Sequence, residues 1–245
     1  GYARNIGLSH AIGKWVLFAD ADDFFTEEYA RTGEMLDSLL DFNYELLTPS
    51  QQLTYDILED ALSSELANQN YIYFTEALSP LTGYQAQLPI VLAEYRFEDK
   101  NDVENYLALL PCVYDYFKEI ADFEREKSAA GYFMNDETAS EIIAQCEDFV
   151  KDLDNHFLIS TFEDRLEELD LTLTEKTEYI LKNQTALHSH VFPAYDLLAE
   201  TLTGCLGTGK NKYGLSHFEN GKEYYEKLVR YDTGSEKTIE EIDVK

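Results

Sequence analysis

Residues 103–123 read VENYLALLPCVYDYFKEIADF, and the apolar positions in this stretch decide the fold class. Val103, Tyr106, Leu107, Leu110, Val113, Tyr114, Phe117 and Ile120 recur every three or four residues, the spacing that gathers side chains on one face of a helix. Pro111 interrupts the run. Its nitrogen carries no hydrogen and its ring clashes with the preceding turn, so it should kink the helix or divide it in two.

The same periodicity extends in both directions. Thr48-Pro49-Ser50-Gln51 reads as a helix start, with Thr as N-cap, Pro at the first helical position and Gln three residues on. Leu53, Ile57, Leu58, Ala61, Leu62 and Leu66 then line one face. The loop Leu78-Ser79-Pro80-Leu81-Thr82-Gly83 delivers the chain into residues 86–95. Asn135 or Asp136 can cap a helix carrying Ile142, Ile143, Cys146, Phe149, Val150 and Leu153, and a further face runs through Leu158, Phe162, Leu166 and Leu169. Thr174, with Thr177 and Glu178, opens the longest periodic stretch, which continues through Ile180, Leu181, Leu187, Val191, Tyr195, Leu198 and Leu202 with a kink expected at Pro193. Residues 204–221 read as a glycine-rich loop, 222–231 as a short helix, and 238–242 as the opening of another. Residues 15–19, Trp-Val-Leu-Phe-Ala, form a short apolar run between a glycine and a set of acids, the pattern of a buried parallel strand. From about Thr32 onward the pattern is almost wholly helical. The expected architecture is therefore mainly α, a multi-helix domain over residues 32–245 with long kinked helices, preceded by a strand-like segment over residues 1–31.

Composition narrows the function classes. The chain has 245 residues, 44% hydrophobic and 27% charged, enough to fill a core. Its 19 basic and 48 acidic residues give a net charge of −29, which repels nucleic-acid phosphates and anionic lipid alike. No stretch of about 18 apolar residues is present, so no bilayer-spanning helix is expected. With neither an initiator Met nor a basic and apolar leader, no export signal is visible, and the chain reads as a piece of something longer. Cys112, Cys146 and Cys205 stand far apart and odd in number, which argues against a disulfide framework or a zinc knuckle. The first two read as buried free thiols.

Several motif-like features carry less than their letters suggest. Residues 204–210 satisfy G-x-x-x-x-G-K, but Asn211 stands where a P-loop needs Ser or Thr for magnesium, and the preceding segment reads helical instead of as a strand. None of the five histidines opens an H-E-x-x-H zinc helix. His188 and His190, two apart, would lie on nearly opposite sides of a helix. Acid pairs such as Glu163-Asp164 and Glu167-Glu168 read as solvated faces.

Ala3-Arg4-Asn5-Ile6-Gly7-Leu8, Ala11-Ile12-Gly13-Lys14 and Val16-Leu17-Phe18-Ala19-Asp20-Ala21-Asp22-Asp23 closely resemble family 2 glycosyltransferases of the GT-A fold. The resemblance implies that Asp20 and Asp22 or Asp23 would hold a nucleotide diphosphate and its divalent metal, with Arg4 near the nucleotide. It covers residues 1–30 alone, without the strands that complete a nucleotide pocket or the acceptor side, so the segment reads as a remnant.

The body of the chain, from about residue 35 to the end, is similar to another family. Tyr73-Phe74-Thr75-Glu76-Ala77-Leu78-Ser79-Pro80-Leu81-Thr82-Gly83, Gln87-Leu88-Pro89-Ile90-Val91-Leu92-Ala93-Glu94-Tyr95, Tyr106-Leu107-Ala108-Leu109-Leu110, Glu126-Lys127-Ser128-Ala129-Ala130-Gly131, Val191-Phe192-Pro193-Ala194-Tyr195 and Asn220-Gly221-Lys222-Glu223-Tyr224-Tyr225 resemble, in order, the N-terminal half of the bacterial DUF885 proteins. That family is largely helical, often exported, and resembles gluzincin-type zinc metallopeptidases. The resemblance implies a zinc-binding element in a C-terminal half that would begin after Asp243-Val244-Lys245. It implies no metal ligand and no catalytic residue in this chain. What the resemblance leaves to these residues is one wall of a peptide cleft, with Lys210, Asn211, Tyr224 and Tyr225 as candidate wall positions and peptides as partners. Two other readings stand beside it: a GT-A transferase using a nucleotide-sugar donor, and a helical scaffold or peptide-binding module without chemistry.

Overall fold

The computed structural model describes residues 21–210, 213–235 and 237–242, with the backbone alone for residues 21–28 and 240. Among them the secondary structure is helical and there is no strand. The strand expected at residues 15–19 lies outside the described residues. The elements are α1 (Ala21–Leu40), α2 (Pro49–Ala67), α3 (Tyr84–Glu94), α4 (Lys100–Leu109), α5 (Cys112–Ala130), α6 (Asp136–Phe149), α7 (Phe157–Glu167), α8 (Leu173–Ala186), α9 (Phe192–Cys205), α10 (Gly221–Thr233) and the short α11 (Ile239–Ile242). They fall into two compact units, one of residues Glu76–Lys210, the other joining Asp22–Thr75 to residues after 212.

Local signals account for most boundaries. Pro111 separates α4 from α5, as its missing donor requires. Gln51 Oε1 accepts from the backbone N–H and the hydroxyl of Thr48 at 3.0 and 2.8 Å, closing the start of α2. Asn135 Oδ1 accepts from Thr138 N at 2.9 Å and caps α6. Two starts differ from expectation. The described part of α1 covers Ala21–Leu40, so the helical run is present before Thr32. Helix α8 is capped by Thr172 paired with Glu175, not by Thr174, because only Thr172 has an acid three residues on to complete the reciprocal box. The loop expected from residue 204 starts later, since α9 runs to Cys205.

In the Glu76–Lys210 unit, α9 packs against both α5 and α6. Phe192, Ala194, Tyr195, Leu198 and Leu202 join Val113, Phe117 and Ile120 of α5 and Ala139, Ile142 and Cys146 of α6 in one buried core. Tyr195 lies at its centre, its ring 3.9 Å from Phe149 and 5.0 Å from Phe117. Burial pushes the Cys146 thiol up to about 12, so it acts as a small apolar group, whereas Cys112 is only half-buried. At the other side, Phe97 meets Tyr106 and Phe162 edge to face beside Arg165, whose guanidinium lies 4.4 Å from the Phe97 ring.

Two prolines set the detailed path of the buried helices. Pro193 cannot donate to the carbonyl four residues back, and the backbone relaxes into a π-turn over Leu187–Val191, where Phe192 N–H reaches Leu187 O, five residues away. The expected kink is thus a widened turn between α8 and α9. Pro89 stands inside α3 and leaves the Gln85 carbonyl without its helical donor. Tyr195, a residue 1% exposed, donates from its hydroxyl to that carbonyl at 2.8 Å. Arg165 secures the other end of α3, donating from Nη1 to Leu92 O and Tyr95 O at 3.1 and 2.6 Å and from Nε to Thr161 O at 2.9 Å.

The second unit has little core of its own. Thr32, Leu62, Tyr71 and Gly221 are its buried residues among those described. Leu53, Ile57 and Leu58, which share a face by their spacing, are exposed at 61, 60 and 43%. Helical spacing shows that apolar residues share a face, but not that anything covers it. What holds the unit is an aromatic group and a few polar ties. Phe74 stacks on Phe218 at 5.2 Å, Tyr71 and Phe74 both meet Tyr224, and Lys227 donates to Ala67 O while lying 4.5 Å from the Tyr71 ring. Gly221 lets the start of α10 approach the preceding turn, since a Cβ there would lie 1.8 Å from Leu215 O.

The Tyr195–Gln85 bond gives a clean test. Tyr195→Phe leaves a buried carbonyl without a donor and should cost about 1–3 kcal/mol in urea denaturation. Pro89→Ala restores a backbone N–H to that carbonyl, so Tyr195→Phe should cost measurably less in the Pro89→Ala background. Equal costs in the two backgrounds would separate the hydroxyl from the proline.

Candidate functional site

Positions 113, 117, 120, 124 and 127 fall on one row of α5, and all five are buried. The first three are Val, Phe and Ile; the last two are Glu124 and Lys127. A carboxylate and an ammonium are thereby carried into a place built for apolar side chains, where each is costly unless paired. Lys127 Nζ donates to Glu76 Oε2 at 2.7 Å and lies 3.6 Å from Glu124 Oε1 and 5.7 Å from the Phe123 ring. Glu76 is half-exposed, so the cluster runs from the surface inward. Glu76 and Lys127 come from two of the segments that carry the DUF885 resemblance.

Glu124 is the unusual member. Neither of its oxygens has a hydrogen-bond partner. Burial pushes its carboxyl up to about 7, with Lys127 pulling the other way and the Glu76 charge adding to the rise. A carboxyl poised near neutrality is what general acid–base work requires, but this one is enclosed on its helix row. The arrangement holds one proton inside the fold; it does not offer that proton to a substrate.

The end of α5 places Lys210. Gly131 turns the chain at φ +85° and its N–H returns to Lys127 O and Ser128 O. The Lys210 side chain lies against this glycine, within 3 Å of where a Cβ would stand. Ser128 and Thr208 join through their hydroxyls at 2.8 Å, and Gly207 N–H donates to Asp136 Oδ1 at 2.8 Å. Residues 207–210 therefore clasp the helix end, and the exposed Lys210 sits where a cation complements the negative pole of α5. Helix α9 stands where a P-loop would need a strand.

The remaining sequence candidates are distributed between the units. Arg4, Asp20 and Asn211 lie outside the described residues, as do the side chains of Asp22 and Asp23 in α1. Tyr224 is half-buried among Tyr71 and Phe74, while its neighbour Tyr225 is 50% exposed. Lys210 belongs to one unit and both tyrosines to the other. His188 is exposed beside Phe192. Sequence reading missed three residues. His156 caps α7 through Nδ1, which accepts from Leu158 N at 3.2 Å, and its ring is enclosed by Phe149, Phe157 and Phe192. Burial lowers its pKa and favours the neutral ring that this bond needs. Arg165 and Glu124 were the others. For Glu124 a signal existed: a charge on an otherwise apolar helical row.

Because folding raises the Glu124 pKa from 4.5 to about 7, the folded chain keeps a proton that the unfolded chain loses across that span. Stability should fall as pH rises from about 4.5 to about 7 and level off above it. Glu124→Gln cannot titrate. It should match the parent at pH 4 and exceed it by about 3 kcal/mol at pH 8 in urea denaturation. A difference independent of pH would remove Glu124 as the proton site.

Among the described residues no group of three or more His, Cys, Asp or Glu side chains is disposed to hold a metal ion. No helix among them is long and apolar enough to cross a membrane. No curated protein matches the chain. A solved structure from Colwellia psychrerythraea, named as a "putative lipoprotein", is similar in fold, with a TM-score of 0.79 and 14% identity over 88% of this chain. The likeness takes in 39% of that longer protein, so the chain spans well under half its length. The family model described as "Bacterial protein of unknown function (DUF885)" matches residues 3–243. The chain belongs to the DUF885 family.

Proposed function

We propose that this chain forms one wall of the peptide cleft in a zinc-dependent peptidase of the DUF885 type, with the metal-binding half supplied by residues outside these 245. The observation that carries the reading is the family match over residues 3–243; the peptidase part rests on the gluzincin-type resemblance that the sequence segments imply. Zinc requires three or four His, Cys or carboxylate ligands within about 2.3 Å. The described residues offer no such group and do not fit the metal, so no step through it is assigned to this chain. The role left to these residues is to bind and orient.

Lys210 and Tyr225 are the accessible wall candidates, each considered within its own unit. An ammonium donates to peptide carbonyls or a terminal carboxylate, and an exposed tyrosine ring offers area with a polar tip. Tyr224 supports its neighbour from within the ring cluster.

The test uses the whole chain, an uncharged unstructured peptide labelled for fluorescence anisotropy, and an internally quenched peptide with equimolar zinc. Saturable binding is expected, weakened severalfold by Lys210→Ala and by Tyr225→Ala, with no cleavage that phenanthroline removes. Chelator-sensitive cleavage by this chain, or no saturable binding, overturns the reading.

A further inference from the structure

Helix α2 presents a face that the described residues of its own unit do not cover. Leu53, Ile57 and Ala61 stand four residues apart and so form one stripe along the helix, and all three are exposed. Leu53 and Ile57 expose 61 and 60% of their surface and Leu58 exposes 43%. Leu46, at 81%, belongs to the turn that Gln52 ties to the start of the helix through Tyr44 O at 3.1 Å. Single exposed leucines are ordinary, but a helix of 19 residues that buries Leu62 alone is not.

The chemistry beside this stripe is acidic. Asp56 and Asp60, three residues after Leu53 and Ile57, lie along its edge. Asp56 accepts from the Tyr44 hydroxyl at 3.1 Å, and Asp60 meets Arg230 at 3.6 Å in a solvent-exposed pair of little strength. Residues 22–75 carry twelve acids and a single base, Arg31. A second copy of this chain would set like charges together across the stripe, and an anionic lipid surface would be repelled. We propose that the Leu53–Ile57–Ala61 face of α2 docks a cationic amphipathic helix, whose apolar side covers the stripe and whose Lys or Arg side chains meet Asp56 and Asp60. This mode needs apolar residues at helical spacing on the partner, with basic residues beside them. It concerns α2 alone and does not depend on the peptide-cleft reading.

The experiment titrates the whole chain with three labelled peptides: a Lys/Leu amphipathic helix, a scrambled peptide of the same composition, and a Glu/Leu helix with the charge reversed. One-to-one binding of the first is expected, at least tenfold tighter than of the scrambled peptide and weakened by salt, with no binding of the third. Leu53→Ser/Ile57→Ser leaves the charge unchanged and should weaken the first at least tenfold, with the circular dichroism and melting temperature retained. Asp56→Asn/Asp60→Asn should reduce the salt dependence. Equal affinity for the scrambled peptide, no loss in the serine variant, or a dimer in sedimentation that the serine variant abolishes would overturn the proposal. The cleft variants Lys210→Ala and Tyr225→Ala should leave this binding unchanged, which keeps the two readings apart.

Discussion

A buried backbone carbonyl must have a donor, and the Glu76–Lys210 unit is arranged around meeting that demand along α3. Pro89 removes the internal donor for Gln85 O, and the Tyr195 hydroxyl supplies one from α9. At the C-terminal end, Arg165 reaches from α7 to Leu92 O and Tyr95 O. At the N-terminal end, Gln85 Nε2 bonds Ser79 O and Gln145, and Gln145 bonds Pro80 O. Three other helices are thereby fixed to a helix of 11 residues that could not stand alone. Apolar burial supplies the bulk of the driving force, while these bonds specify which packing is adopted.

That arrangement also gives physical content to the segments shared with the family. Leu78–Gly83, Gln87–Tyr95 and Val191–Tyr195 are the loop before α3, α3 itself and the part of α9 that satisfies it. Gly131 ends α5 in a left-handed turn, and Gly221 admits the backbone of Leu215. These letters are explained by the geometry of a scaffold. They support membership of the family more directly than they support any chemistry.

Helical identity was legible wherever apolar spacing, a cap and a breaker agreed, as at Thr48–Gln51, Asn135 and Pro111. The start of α8 was misplaced by two residues because three threonines compete for one cap and only the Glu175 carboxylate decides between them. The exposure of Leu53 and Ile57 was not legible, since periodicity carries no information about the neighbouring surface. The candidate site was only partly so. Lys127 lay within a recognised segment, but its tie to Glu76 spans 51 residues, and Arg165 acts on carbonyls 73 and 70 residues away. Such bonds follow from tertiary structure, and no local pattern announces them.

The π-turn at Leu187–Val191 has a bearing on how relatives should be aligned. A helix with one wide turn accommodates a residue more than its rise requires, and that residue rotates everything after it by roughly 100° about the axis. Phe192, Tyr195, Leu198 and Leu202 face the core only with that phase. A homologue whose helix is regular throughout should therefore show a single-position gap between residues 187 and 191 while keeping the same inward-facing series beyond it.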